Sequence, residues 1–145
     1  MIKTFRGNLD SGGQTRIRLS TKQGKIGYKI VNFQVMPVNP TTEGGEKVMK
    51  IFKIKQTSVT AIVDFADGNL LGSVLFTSEA NPYYPTHIST VFEQEVFNQD
   101  VYVTYVCTQT KKCSYYIEIE TIPLTDNAAS VSTLRDIRLN PQVGA

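Results

Sequence analysis

The sequence contains no tryptophan, one histidine and only two cysteines. A single histidine, His87, leaves the two- or three-histidine metal centres of sandwich-fold oxygenases short of ligands. A Ser-His-Asp triad would have to recruit that same residue in a chain that has no G-x-S-x-G turn. Two cysteines do not form a disulfide framework. No stretch approaches the roughly 18 consecutive apolar residues of a membrane-spanning helix. The N-terminus MIKTFRGNLD lacks the apolar core of a secretory signal, so synthesis and folding in a cytoplasm are expected. Charge of one sign is also scarce. Fifteen basic against 13 acidic side chains leave a net charge of +2, not the strongly basic face of a nucleic-acid binder. Neither a nucleic acid nor a membrane is expected as a partner.

What remains is a globular profile. The 145 residues are 41% apolar and 19% charged, enough for one domain with one core. The dominant period is two. Thr15–Ser20 alternates polar and apolar residues as a half-buried strand does. A turn at Gly24-Lys25 leads into GYKIVNFQVM (Gly27–Met36), whose apolar phase slips at Ile30-Val31, the mark of a β-bulge or of a strand buried on both faces. The loop PVNPTTEGGE (Pro37–Glu46) holds two prolines and two glycines and excludes a central strand. Strand patterns resume at VMKIFKIK (Val48–Lys55), SVTAIVDF (Ser58–Phe65) and, after a turn at Ala66–Asn69, at the very apolar LLGSVLFT (Leu70–Thr77), expected to be central.

Past a second loop, NPYYP (Asn81–Pro85), a short strand runs from His87 to Glu93. Val101–Cys107 and Cys113–Ile119 then read as a hairpin. With Cys107 opposite Cys113, Tyr105 faces Tyr115, Val103 faces Ile117 and Val101 faces Ile119, all on one side. Tyr102, Thr104, Tyr116, Glu118 and Glu120 take the other side. Residues 125–145 are small, polar and weakly patterned. Ala128–Ile137 fits a short helix capped by Asn127, and equally a late strand or an extended arm. The sum is an all-β fold: a single antiparallel β-sandwich of about eight or nine strands over residues 1–124, with the jelly roll as one form of it. A C-terminal arm over residues 125–145 completes it.

Each group able to do chemistry has a plainer role beside it. His87 is a polar residue at a strand start. Cys107 and Cys113 lack the second pair that a structural zinc needs. They are either small buried apolar residues or a cross-strand disulfide formed after release from a cell. Asp64, Asp67 and Asn69 lack the longer acidic series and terminal glutamate of a calcium loop, and suit a turn better. Glu93/Glu95 and Glu118/Glu120 share strand faces as a glycosidase pair could, but solvent-facing glutamates explain them equally well. Lys47, Lys50, Lys53 and Lys55, with Lys22, Lys25 and Lys29, read as edge protection against unwanted strand pairing. Tyr83 and Tyr84 in the NPYYP loop are placed either as exposed anchors for a sugar or protein, or as a lid over the end of the sandwich.

The segments FRGNLDSGGQTRIRLST, GYKIVNFQV, VDFADGNLLGS, FNQDVYVTY and CSYYIEIE together resemble small virion proteins of marine tailed bacteriophages. The resemblance covers about 120 residues of the chain, with those stretches carrying it, and rests on overall character, not on a catalytic motif. It implies a non-enzymatic β-sandwich component of the particle: a head decoration, vertex or tail protein. It implies a homo-oligomer that also contacts the major coat or tail proteins, made in the host cytoplasm and found in the virion, with no cofactor and no metal. Tyr83, Tyr84, Arg135 and Arg138 are the expected interface anchors. The alternative is a sandwich that binds glycans or a host receptor, using Tyr83 and Tyr84.

Overall fold

A computed structural model describes residues 1–19, 25–39, 45–77 and 87–124. Among them lie eight strands and no helix: β1 (Ile2–Leu9), β2 (Gln14–Ile17), β3 (Ile26–Pro37), β4 (Glu46–Phe52), β5 (Leu70–Thr77), β6 (His87–Val91), β7 (Val101–Cys107) and β8 (Cys113–Pro123). They form a three-stranded sheet, β1-β8-β3, and a five-stranded sheet, β2-β7-β4-β5-β6. Every pairing is antiparallel. The two sheets enclose one core, built from Tyr28, Ile30, Phe33 and Val35 of β3, Met49 and Ile51 of β4, Leu71 and Val74 of β5, and the inward residues of β7 and β8. The fold is a β-sandwich, with apolar residues inward at every second position.

The pairing is nested: β1 lies beside β8, β2 beside β7, and β4 beside β5. The remaining pair, β3 and β6, belongs to different sheets, yet the Ser89 hydroxyl of β6 donates to the Phe33 carbonyl of β3 at 2.9 Å. The free edge of β3 is covered further by Phe97, whose backbone exchanges two hydrogen bonds with Tyr28 at 2.7 and 2.9 Å. The phase slip at Ile30-Val31 is a bulge. The β3–β8 register jumps between Ile30 and Asn32, so Val31 is the extra residue. This shift lets Tyr28 and Ile30 before it, and Phe33 and Val35 after it, all reach the core.

Three sequence expectations need correction. First, β7 and β8 do not pair. β7 bonds to β2 and β4, and β8 bonds to β1 and β3, so the chain crosses from one sheet to the other at residues 108–112. Val101, Val103, Tyr105, Cys107, Cys113, Ile117 and Ile119 are all buried, as a hairpin would require. A hairpin and two facing strands bury the same alternate residues, so periodicity cannot separate them.

Second, Ser58–Phe65 is not a strand. It belongs to an irregular strap, residues 53–69, between β4 and β5. Those two strands pair with each other directly, which leaves the strap no place between them. Third, β4 is no edge. It is paired on both sides, and Lys47, Lys50 and Lys53 are buried. Ile2–Leu9, for which no strand is expected, also forms an edge strand. Its side chains alternate only between exposed and half-buried, which weakens the period-two signal. The expected central place of Leu70–Thr77 holds, since β5 lies between β4 and β6. The C-terminal arm, with its helix, strand or extended alternatives, lies outside the described residues.

Candidate functional site

Met49 and Ile51 of β4 point into the core, so alternation turns Lys50 to the outer face of the five-stranded sheet. Thr104 of β7 and Ser73 of β5 stand directly opposite Lys50, and Gln14 of β2 stands opposite Thr104. The strap lies against this face and is tied down at four places. The Lys53 N–H donates to the Asn69 carbonyl at 2.9 Å, closing the strap at its root. The Gln14 amide bonds both backbone groups of Gln56, donating at 3.0 Å and accepting at 2.8 Å. The Lys50 ammonium donates to the Ile62 carbonyl at 2.5 Å. The Lys53 ammonium meets Glu95 at 3.3 Å.

Two aspartates shape the return of the strap. Asp64 Oδ1 accepts from the Ala66 N–H, and Asp67 Oδ1 from the Asn69 N–H, each at 2.9 Å. These are side-chain-to-backbone turns, the role that the turn reading gave Asp64 and Asp67.

Between strap and sheet is a cavity of about 160 Å³, lined by Lys50, Phe52, Gln56, Thr60, Ile62, Asp64, Asp67 and Leu70. Lys50 is only 3% exposed. Burial pulls its pKa below the ordinary lysine value, and the charge of Asp67 opposes that shift only in part. The nearby Thr104 hydroxyl is buried with no hydrogen-bond partner among the described residues. The outer surface of the strap is apolar instead. Ile62, Val63 and Phe65 are exposed, Ile62 by 72%. Phe65 packs edge-on against Phe92, just after β6, with ring centroids 5.6 Å apart. No backbone N–H of residues 59–63 finds an acceptor among the described residues.

Cys107 and Cys113 are free thiols, both buried in the core. Cys113 donates to the Met36 carbonyl of β3 at 3.4 Å, and Cys107 accepts from the Gln109 N–H at 3.4 Å. Burial pushes the Cys107 thiol up. The backbone N–H groups of Lys111 and Gln109, the Tyr105 hydroxyl and the charge of Lys47 together outweigh it and bring the pKa down. Tyr105 also anchors the crossing between sheets by donating to the Lys111 carbonyl at 2.5 Å.

The remaining candidates do not converge. His87 opens β6 in an exposed position, its ring edge-on to Phe76. Glu118 accepts from the Tyr116 hydroxyl at 2.8 Å, and Glu120 meets Lys29 at 3.4 Å. Glu95 pairs with Lys53, while Glu93 is exposed in the turn after β6. Among the described residues no three His, Cys, Asp or Glu side chains are grouped to hold a metal. Tyr83, Tyr84, Arg135 and Arg138 lie outside the described residues. The β-branched residues of Ser58–Phe65 carry a strand's pattern, so the sequence does not reveal the strap surface. Comparison with protein-family models and with curated proteins finds no match to this chain.

Proposed function

We propose that the chain is a non-enzymatic structural protein of a phage particle, a head decoration, vertex or tail component that works by contact with copies of itself and with coat or tail proteins. The observation that carries this reading is the exposed apolar strap on the two-sheet sandwich. Apolar side chains gathered on one outer surface mark a surface meant to be covered by protein. The nested pairing supports a jelly-roll assignment, with β3 and β6 as the one pair split between sheets. Jelly rolls recur in capsid proteins, although a fold alone never fixes a function. The buried ionisable groups of the strap are spent on holding it down, which suits a rigid contact element. No nucleic acid, membrane or cofactor enters this reading.

Quantitative peptide mass spectrometry on density-purified particles tests it. Hundreds of copies per particle indicate a coat or decoration protein, and about five to sixty indicate a vertex or tail component. Absence from the particles removes the reading.

A further inference from the structure

We infer that the cavity beneath the strap takes small, uncharged aromatic aldehydes, held covalently as a Schiff base on Lys50. The inference goes beyond the particle reading and does not depend on it.

Three observations carry it. The first is the place of the amine. Lys50 is 3% exposed, yet it is the sole lysine lining a cavity of about 160 Å³ that is partly open to solvent. A cavity of about 150 Å³ is enough to hold benzene, so a one-ring aldehyde fits against the nitrogen. The second is the state of the amine. Lys50 forms no ion pair among the described residues, and its one hydrogen bond goes to the Ile62 carbonyl at 2.5 Å. Lys53, also buried, meets Glu95 instead at 3.3 Å, which holds it charged. Burial pulls the Lys50 pKa below the ordinary lysine value, so more of the amine is in the neutral, nucleophilic form. Desolvated lysines of this kind are the ones that form Schiff bases.

The third is the wall around it. The Lys50 Nζ lies over the Phe52 ring, 5.2 Å from its centroid. Ile62 and Leu70 complete the apolar side of the lining. A planar aryl imine on that nitrogen therefore has an aromatic face to pack against. Asp64 and Asp67 also line the cavity, and their carboxylates select against an aldehyde that carries a phosphate or carboxylate of its own.

The step needs no oxidant or reductant. The ammonium releases a proton to solvent, and the amine lone pair attacks the carbonyl carbon to give a carbinolamine. Its hydroxyl then leaves. Over the whole step the two amine hydrogens and the carbonyl oxygen depart as one water, and a C=N bond replaces C=O. Protonation of the imine leaves it one N–H, enough to keep the bond to the Ile62 carbonyl and so the strap in place.

Limiting benzaldehyde at neutral pH, with sodium cyanoborohydride to deliver hydride to the imine carbon, fixes the adduct on the full chain as a benzylamine that peptide mass spectrometry locates. Lys50 should carry at least about ten times more label than each of the exposed Lys55, Lys111 and Lys112, because the cavity holds the reagent at the nitrogen. Urea should abolish that preference. Phe52→Leu, checked for its fold by circular dichroism, should lower it about threefold, the worth of a lost aromatic contact. Pyridoxal phosphate, an aldehyde with an anionic group, should instead favour the exposed lysines. Labelling of Lys50 no greater than that of the exposed lysines overturns the inference. So does a preference that survives in urea, one indifferent to Phe52→Leu, or one that pyridoxal phosphate shares.

Discussion

Replacing Lys50 by Met should stabilise the protein, although it removes a hydrogen bond. Lys50 is 3% exposed and has a single hydrogen bond among the described residues, to the Ile62 carbonyl. Burying an ammonium costs several kcal/mol, and one hydrogen bond to a charged donor returns roughly 1.5–3 kcal/mol. The carbonyl freed by the substitution belongs to a residue 72% exposed, so water can take the place of the lysine. Met has nearly the same length and keeps contact with Phe52 and the cavity wall. The net expectation is a gain of about 1–3 kcal/mol, by analogy with buried ionic groups replaced by apolar ones. For a chain of this size that is a rise in Tm of about 4–12 °C.

The pH dependence gives an independent check. The folded-state pKa of Lys50 lies below its ordinary value of 10.5. Between those two values the unfolded chain holds a proton that the folded chain has released. Stability contributed by this residue therefore rises with pH across that window, and its full penalty is present below it. Urea unfolding of both proteins from pH 7 to pH 10.5 should show their difference shrinking as pH rises. A loss of 2 kcal/mol or more on substitution, with a difference independent of pH, would refute the reasoning. It would mean that the ammonium is the clasp of the strap and not a burden on it.

Ile117→Ala, at a fully buried position in the middle strand of the smaller sheet, should cost about 2–5 kcal/mol in urea unfolding without changing the m-value. Cross-strand backbone contacts in NMR spectra should join Val103 to both Thr15 and Ile51, its register partners, with the close Hα contact on the Ile51 side. A contact between Val103 and Ile117 of hairpin type would instead restore the β7–β8 hairpin. Deleting Val31 removes the bulge but leaves Tyr28, Ile30, Phe33 and Val35 at every second position and in the same register with β8, so cooperative unfolding monitored by circular dichroism should persist; its loss would mean that the bulge itself is required by the fold. Cys107 and Cys113 should react with a thiol reagent far more slowly in the folded protein than in urea, despite the lowered pKa of Cys107. Rapid labelling of the native chain would mean that the crossing at residues 108–112 opens readily.

The sequence by itself determined the all-β class, most of the strands and nearly every core position. Alternation in β3, β7 and β8 names the buried residues, because a strand's side chains must point to opposite faces whatever lies beside it. The phase slip at Ile30-Val31 was legible too, but it fitted a bulge or a strand buried on both faces, and only the pairing with β8 decides for the bulge. The partner of each strand was decided only by the tertiary structure. Backbone hydrogen bonds are the same between any two strands, so the inward residues of β7 and β8 serve as well across the sandwich as across a hairpin. The same indifference hid the roles of β4 and of the strap. The lysines of β4 resemble edge guards until strands are seen on both its sides. Ser58–Phe65 has a strand's pattern but no place between the strands that flank it in the chain, because β4 and β5 pair with each other.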